Sequence, residues 1–390
     1  MMTTVFVTGM GLVTPLRPFA SVDMFWNALC SGEDAIRRMA PPMLDMEREW
    51  LMGGISTGDG VRAENKFCLI AEGALEMAIK DSGLEERASA GISVGTVLGN
   101  VLLKEKRLQV NGRNGIRQGS ERESLSYITS HLAGKYGLKG PQFTVSTACA
   151  SGTDAIGIAA RTITDGRADV MVAGGVDVLS DFALIGFHAL QALTGEKVRP
   201  FDKNRSGLAL GEGAAFLVLE SERHAVSRKA RLYGRIRGYA SRADANHLTG
   251  PHKEGRGLSD AIRAALSQAR LSPHEVGYIN AHGTGTIYND LMETIAIKNV
   301  FRRTAYDIPI SSTKSMLGHS FGAAGAIETI CCLLSIRDNI VPPTINLVER
   351  DPECDLDYVP KIARHAIVKQ AVSLSAGFGG QNAAIVVGEA

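Results

Sequence analysis

The sequence predicts an α/β fold assembled from two similar halves, and three observations carry that reading. Short apolar runs bounded by Gly or Pro alternate with helix-like segments along the chain. A strand, a loop of reactive residue types and a small-residue helix occur at FTVSTACASGTDAIGIAA and again at IPISSTKSMLGHSFGAAGAIET; each copy is followed by a Gly-rich entry into an apolar strand, GEGAAFLVLE and then GFGGQNAAIVVGE. With 390 residues, 45% of them apolar and 21% charged, the chain can bury a large core.

The elements follow in order. VFVTG opens the chain as a strand, and a helix is expected over 67–80; GISVGTV and FTVST are the next strands, before a helix over 149–164. DVMVAGGV and AAFLVLE complete the first half. A helix over 257–269, the strands GYINAHG and IPISST, a helix over 322–336, and the strands AVSLSAG and AAIVVGE make the second. These runs are nearly continuous in apolar residues, as strands covered on both faces should be. The halves are expected to meet between 220 and 251, giving domains 1–235 with the cysteine and 236–390 with two histidines. Two stretches outside the repeat, 103–127 and 181–210, read as insertions carrying specificity or contacts.

Charge and composition exclude several classes. A formal net charge of +1 gives no basic field, so no nucleic acid is expected. No apolar run approaches the roughly 20 residues that span a bilayer, so no membrane is expected. MMTTVFVTGMGLVTP lacks a basic stretch and a cleavage site, which leads to a cytoplasmic protein. Six scattered cysteines without CxxC pairs should be reduced thiols.

Chemistry concentrates at a few places. Cys149 follows a β-branched run and opens a small-residue helix, where the helix dipole would favour thiolate and free N–H groups could receive an oxyanion. Taken alone, it is better explained as a packed small residue. His282 in NAHGTGT and His319 in STKSMLGHSFG each follow a strand among residues too small to bury them in apolar surroundings. Their recurrence opposite Cys149 in a duplicated fold makes a Cys/His/His site the better reading, ahead of a zinc site for which a fourth ligand is missing. Glu328, inside GAAGAIETICCLL, needs a buried partner, and Lys314 on the loop before it is the candidate; the pair would orient His319 or serve as a structural salt bridge.

TACASGTDA, RPFDKNRSGLALGEGAAFLVLE, NAHGTGT, SSTKSMLGHSFGAAGAIE and SAGFGGQNA, in this order over essentially the whole chain, resemble the β-ketoacyl-acyl carrier protein synthases of the elongating type. The resemblance implies the thiolase fold, two similar α/β halves in five αβαβα layers. It implies that Cys149 takes an acyl chain from a carrier-protein thioester, with its own N–H and that of Phe378 as oxyanion hole. His282 and His319 would stabilise the enolate of decarboxylated malonyl, and Lys314 and Glu328 would support them. Thr284 and Thr286 would hold the phosphopantetheine arm, and Ala376 and Gly379 would border the acyl pocket. No metal or organic cofactor is implied beyond the phosphopantetheine of the acyl carrier protein. That carrier is the expected partner, beside a second copy of the chain or a related ketosynthase-like subunit; Arg62 with Lys66, or Lys203 with Arg205, are the basic docking candidates. A degradative thiolase would carry a second cysteine where this chain has Phe378. A non-catalytic chain-length-factor-like subunit would normally have lost the first. Three departures, LSAGFGG for NSFGFGG, GTGT for GTST and TVLGN for a glycine-rich stretch, point to a specialised polyketide or polyene synthase.

Overall fold

The computed structural model describes residues 3–44, 47–57, 61–112 and 119–390. The ten strands that matter for the site are β1 (Val5–Val13), β2 (Gly91–Gly95), β3 (Gln142–Val145), β4 (Val170–Asp177), β5 (Gly213–Ser221), β6 (Gly234–Ala243), β7 (Tyr278–Asn280), β8 (Ile310–Ser311), β9 (Gln370–Gly377) and β10 (Gln381–Gly388). They lie side by side in the order β8-β7-β9-β10-β6-β1-β5-β4-β2-β3. The first five and the last five have the same internal order. Each half pairs its second and third strands in parallel, its second and fourth in parallel, and its fifth antiparallel to its fourth and first. The internal repeat is therefore a duplication of topology, down to strand direction.

The halves join where β1 pairs antiparallel with β6, Val5–Val7 against Gly234–Ile236. The expected division at 235/236 falls inside β6, within this shared ladder.

Five layers follow from alternation along the strands. In β5, Ala215, Leu217 and Leu219 point into the core between the halves, while Ala214, Phe216 and Val218 point outward. In β10, Ile385 and Val387 point inward, and Ala384 and Val386 outward. Fully burying a Leu or Phe contributes roughly 1.5–3 kcal/mol, so both faces of each half demand a cover. The outer cover of the first half is α1 (Lys66–Ser82), whose Ala74 and Ala78 sit on Gly9 and Gly11 of β1. Between the halves lie α2 (Ser151–Thr164) and, later in the chain, α6 (Ala324–Asp338). After α3 (Asp181–Ala189), the second half is covered outside by α4 (Arg256–Ala269) and α5 (Ile287–Phe301).

α2 and α6 cross at glycines. A Cβ on Gly152 would stand 2.5 Å from the Gly322 carbonyl oxygen, and one on Gly325 would stand 2.0 Å from Thr153 Oγ1. This explains why both sequence copies are rich in small residues.

Four expected helices are present. The one expected from residue 149 begins at Ser151, because Ala148 adopts a left-handed φ of 50° and the chain turns there. Of the expected insertions, 181–210 forms α3 and a following loop; within 103–127, residues 113–118 lie outside those described. Among the described residues no helix is long and apolar enough to cross a membrane.

Candidate active site

The duplicated halves bring three loops together. Cys149 stands on the turn between β3 and α2, with Thr147 N–H donating to Ser151 Oγ at 2.9 Å and Ser151 Oγ donating to the Ala148 carbonyl at 2.6 Å. His282 follows β7; its N–H and that of Gly283 donate to the two carboxylate oxygens of Glu293 on α5, at 2.6 and 2.8 Å. His319 follows the helical turn Lys314–Leu317 and Gly318, whose φ of 75° suits glycine. Its N–H donates to the Ala209 carbonyl, and its own carbonyl accepts from Gly211 N–H, so backbone pairing fixes it on both sides.

His319 Nε2 lies 3.0 Å from Cys149 Sγ. Its other ring nitrogen, Nδ1, accepts the Phe321 N–H at 3.2 Å. The hydrogen of the neutral ring is thereby assigned to Nε2, aimed at sulfur. The His282 ring stands edge-on to that of His319, centroids 5.2 Å apart at 83°. All three side chains are buried.

The donor atoms of the three residues lie within 4.8 Å of one another, a spacing that could also hold a cation. Two features oppose that use: the Nε2 nearest the sulfur carries its hydrogen, and the charge of Lys314 bears on both imidazoles.

Burial dominates the electrostatics. It pushes the Cys149 thiol up to about 12, against the pull of the Lys314 charge and of the Phe378 N–H that donates to the sulfur. The helix dipole expected to favour thiolate is outweighed, since Cys149 stands before the first helical residue and is enclosed. Burial, then Lys314, holds His282 and His319 well below the ordinary histidine range, with His319 adding to the effect on His282. Lys314 and Glu328 form the expected ion pair, both buried. Burial raises the Glu328 carboxyl to about 7 while Lys314 draws it down. The Lys314 ammonium, at the end of a buried pair, is thus the charge that bears on the thiol and on both imidazoles.

A cavity of about 380 Å³ leads to these groups. Thr284 and Thr286 line it, sharing a hydrogen bond of 2.9 Å between their hydroxyls. Ala376 and Phe378 line it from β9 and the turn after it, and the Phe378 ring stacks on Phe187 of α3 at 5.3 Å. Gly379 does not line the cavity. Its φ of 80° turns the chain, and its N–H donates to the Leu248 carbonyl at 2.7 Å.

Two carboxylates were missed by the sequence reading. Glu293 holds the His282 loop as described, its carboxyl pushed up to about 8 by burial. Asp177, at the end of β4, accepts from Thr96 Oγ1 and from the N–H groups of Val97, Leu98 and Gly322, at 2.7–2.9 Å. It ties the TVLGN stretch to the residues after His319. The test that singled out Glu328, an acid inside an apolar run, applies equally to both.

The docking candidates divide. Lys66 is paired with the buried Glu212, and Arg205 is itself buried against Asp351, so both are structural. Lys203 pairs with Glu349 at the surface, while the Arg62 side chain is 74% exposed.

Comparison with known proteins agrees with this geometry. The family described as beta-ketoacyl synthase, N-terminal domain, matches residues 59–225, and its C-terminal domain matches 233–348. The tetracenomycin polyketide synthase ketoacyl synthase alpha subunit of Streptomyces glaucescens is 38% identical over 412 residues, covering 98% of this chain and 96% of the relative. The 3-oxoacyl-[acyl-carrier-protein] synthase 2 of Coxiella burnetii is 39% identical, covering 98% of each. A solved type II PKS acyl-carrier protein in complex with its ketosynthase bound to the hexaketide superposes with a TM-score of 0.91 at 33% identity, covering all of both chains. The ishigamide ketosynthase/chain length factor superposes at 0.90 and 32%, also over both chains in full.

Proposed function

The chain belongs to the beta-ketoacyl synthase family, and on that premise we propose that it extends an acyl chain by decarboxylative condensation with malonyl-acyl carrier protein. The single observation that carries the reading is the buried Cys149 sulfur, which receives the His319 Nε2–H at 3.0 Å. In acyl transfer, sulfur attacks the carrier thioester, the carbonyl oxygen becomes an oxyanion held by the N–H groups of Cys149 and Phe378, and the carrier thiol leaves with the proton. Malonyl carrier protein then loses carbon dioxide. The electron pair of the broken C–C bond passes to the thioester oxygen, where His282 and His319 donate. Two neutral imidazoles suit this role, because they supply N–H groups without protonating the carbanion. The carbanion attacks the acyl-enzyme carbonyl, β-ketoacyl carrier protein forms, and Cys149 leaves as thiolate and takes a proton from water to restore the neutral thiol. The phosphopantetheine arm would run along Thr284 and Thr286, so the substrates need no other cofactor.

The intact Cys/His/His set favours a catalytic subunit over a chain-length-factor role. The active assembly is a dimer, of two copies or with a related ketosynthase-like subunit, as two structural relatives pair a ketosynthase with a chain length factor. Its six free cysteines suit a reducing, cytoplasmic compartment. Small Ala376 lining the cavity, together with relatives named for polyketide synthesis, supports a specialised polyketide or polyene pathway.

Incubation with a panel of acyl carrier proteins, followed by mass spectrometry, tests both parts. An acyl adduct on wild type that is lost in Cys149→Ala is expected, and the best acyl group names the pathway. No adduct from any acyl group would favour the length-factor role.

A further inference from the structure

The nucleophile turn is held from a direction that the chemistry above does not use. Asp154, in the first turn of α2, is 2% exposed. Its Oδ2 accepts from Thr147 Oγ1 at 2.5 Å and from Ser241 Oγ at 3.4 Å, and its Oδ1 accepts from Tyr239 OH at 2.9 Å. Thr147 lies two residues before Cys149, with the left-handed Ala148 between them. Tyr239 and Ser241 belong to β6, in the other half of the molecule.

β6 in turn fixes the second oxyanion donor. It pairs with β10, Ser241 opposite Ala383, and Asp244 N–H donates to the Gly380 carbonyl at 2.8 Å. Gly380 is two residues from Phe378. The neighbour of Asp154 reinforces the link: Thr153 Oγ1 shares a hydrogen bond of 2.9 Å with Ser375 Oγ on β9, three residues before Phe378. One turn of α2 therefore reaches β9, which leads into the Phe378 loop, and β6, which pairs with the strand that leaves it.

The fold itself does not require an acid here. When Gly152 is matched with Gly325, the glycines at which the two central helices cross, Asp154 corresponds to Ile327, which is packed in the inner core. An ionisable group at such a place costs solvation and must be offset by its partners, here three hydroxyl donors.

We propose that Asp154 is a positioning residue that ties the Cys149 turn to β6 and so sets the spacing between the Cys149 and Phe378 N–H groups that receive the oxyanion. An oxyanion hole built from two halves of a duplicated fold needs such a strut, because its donors sit on separate loops whose relative position no single element fixes. The proposal rests on the acyl-transfer reading of the site.

The test compares two reactions of the same sulfur. Alkylation by iodoacetamide displaces iodide at a saturated carbon and develops no oxyanion, whereas acylation by an acyl carrier protein thioester does. Asp154→Ala and Tyr239→Phe are each expected to lower the acylation kcat, roughly tenfold to a hundredfold for Asp154→Ala and less for Tyr239→Phe. KM and the alkylation rate should stay within about twofold of wild type. Asp154→Asn, which keeps an acceptor oxygen, should recover part of the loss. If acylation and alkylation fall in parallel, Asp154 is merely structural and the proposal is overturned; acylation unchanged in folded Tyr239→Phe and Asp154→Asn overturns it as well. Wild type separates the two readings. Wild type that takes no acyl group removes the acyl-transfer reading, whereas acylated wild type with unaffected variants removes only the role of Asp154.

Discussion

At the scale of single residues, the resting site is a neutral thiol beside two neutral imidazoles, because burial pushes Cys149 up to about 12 and holds His282 and His319 well below their usual range. The sign of the consequence is fixed. A thiol raised in this way is protonated at neutral pH, and its thiolate fraction grows about tenfold per pH unit until the pKa is reached. Iodoacetamide should therefore alkylate Cys149 at a rate that climbs steadily from pH 7 to 10, read as carboxamidomethylation by mass spectrometry. A plateau near pH 7 would show a thiolate–imidazolium pair instead. The sequence made Cys149, His282, His319, Lys314 and Glu328 legible, since each is a reactive or charged type set among small residues. It did not reveal the direction of the thiol shift, which depends on enclosure by chain segments far apart in sequence. Glu293 and Asp177 were passed over because their partners are mostly backbone N–H groups, which leave no trace in a pattern of side chains.

At the scale of elements, the crossing of α2 and α6 sets how closely the two reactive loops approach. Gly152→Ala should destabilise the protein by roughly 1–3 kcal/mol, because its Cβ would meet the backbone oxygen of Gly322, which cannot rotate away. Gly134 in the helix Tyr127–Tyr136 makes the contrast: nothing lies within 4 Å of an added Cβ, so Gly134→Ala should stabilise by about 0.4–1 kcal/mol. Urea unfolding of both variants against wild type checks the pair. Equal effects would mean that the crossing tolerates bulk. The duplication was legible because the two copies repeat the order of strand, loop and small-residue helix, and helix positions followed from their apolar spacing. α2 starts two residues later than the sequence predicts. Composition around Cys149 favours helix, and only the left-handed backbone at Ala148 delays it.

At the scale of the whole molecule, two features call for a cover. On α3 and just after it, Phe182, Ile185 and Leu190 are 70%, 48% and 50% exposed. At the end of the sheet, β3 pairs with β2 and with no other strand among the described residues. An open strand edge and an apolar helix face both favour association over solvent. A two-fold related copy can cover each with the same element of its partner, which makes a closed dimer. Wild type alone is therefore expected to sediment as a dimer, and Phe182→Asp with Ile185→Asp to shift it toward monomer. Wild type that stays monomeric until a related ketosynthase-like subunit is added would instead assign this face to a heterodimer. Activity should follow assembly, because the same helix carries Phe187, whose ring stacks on Phe378 and meets Phe321 edge-on at 5.9 Å, while Phe321 stacks on His319 at 5.8 Å. A helix left uncovered would lose support for that aromatic wall. Acylation of Cys149 by carrier-bound substrate should then fall in the dissociated variant, even though both substituted side chains lie outside the cavity.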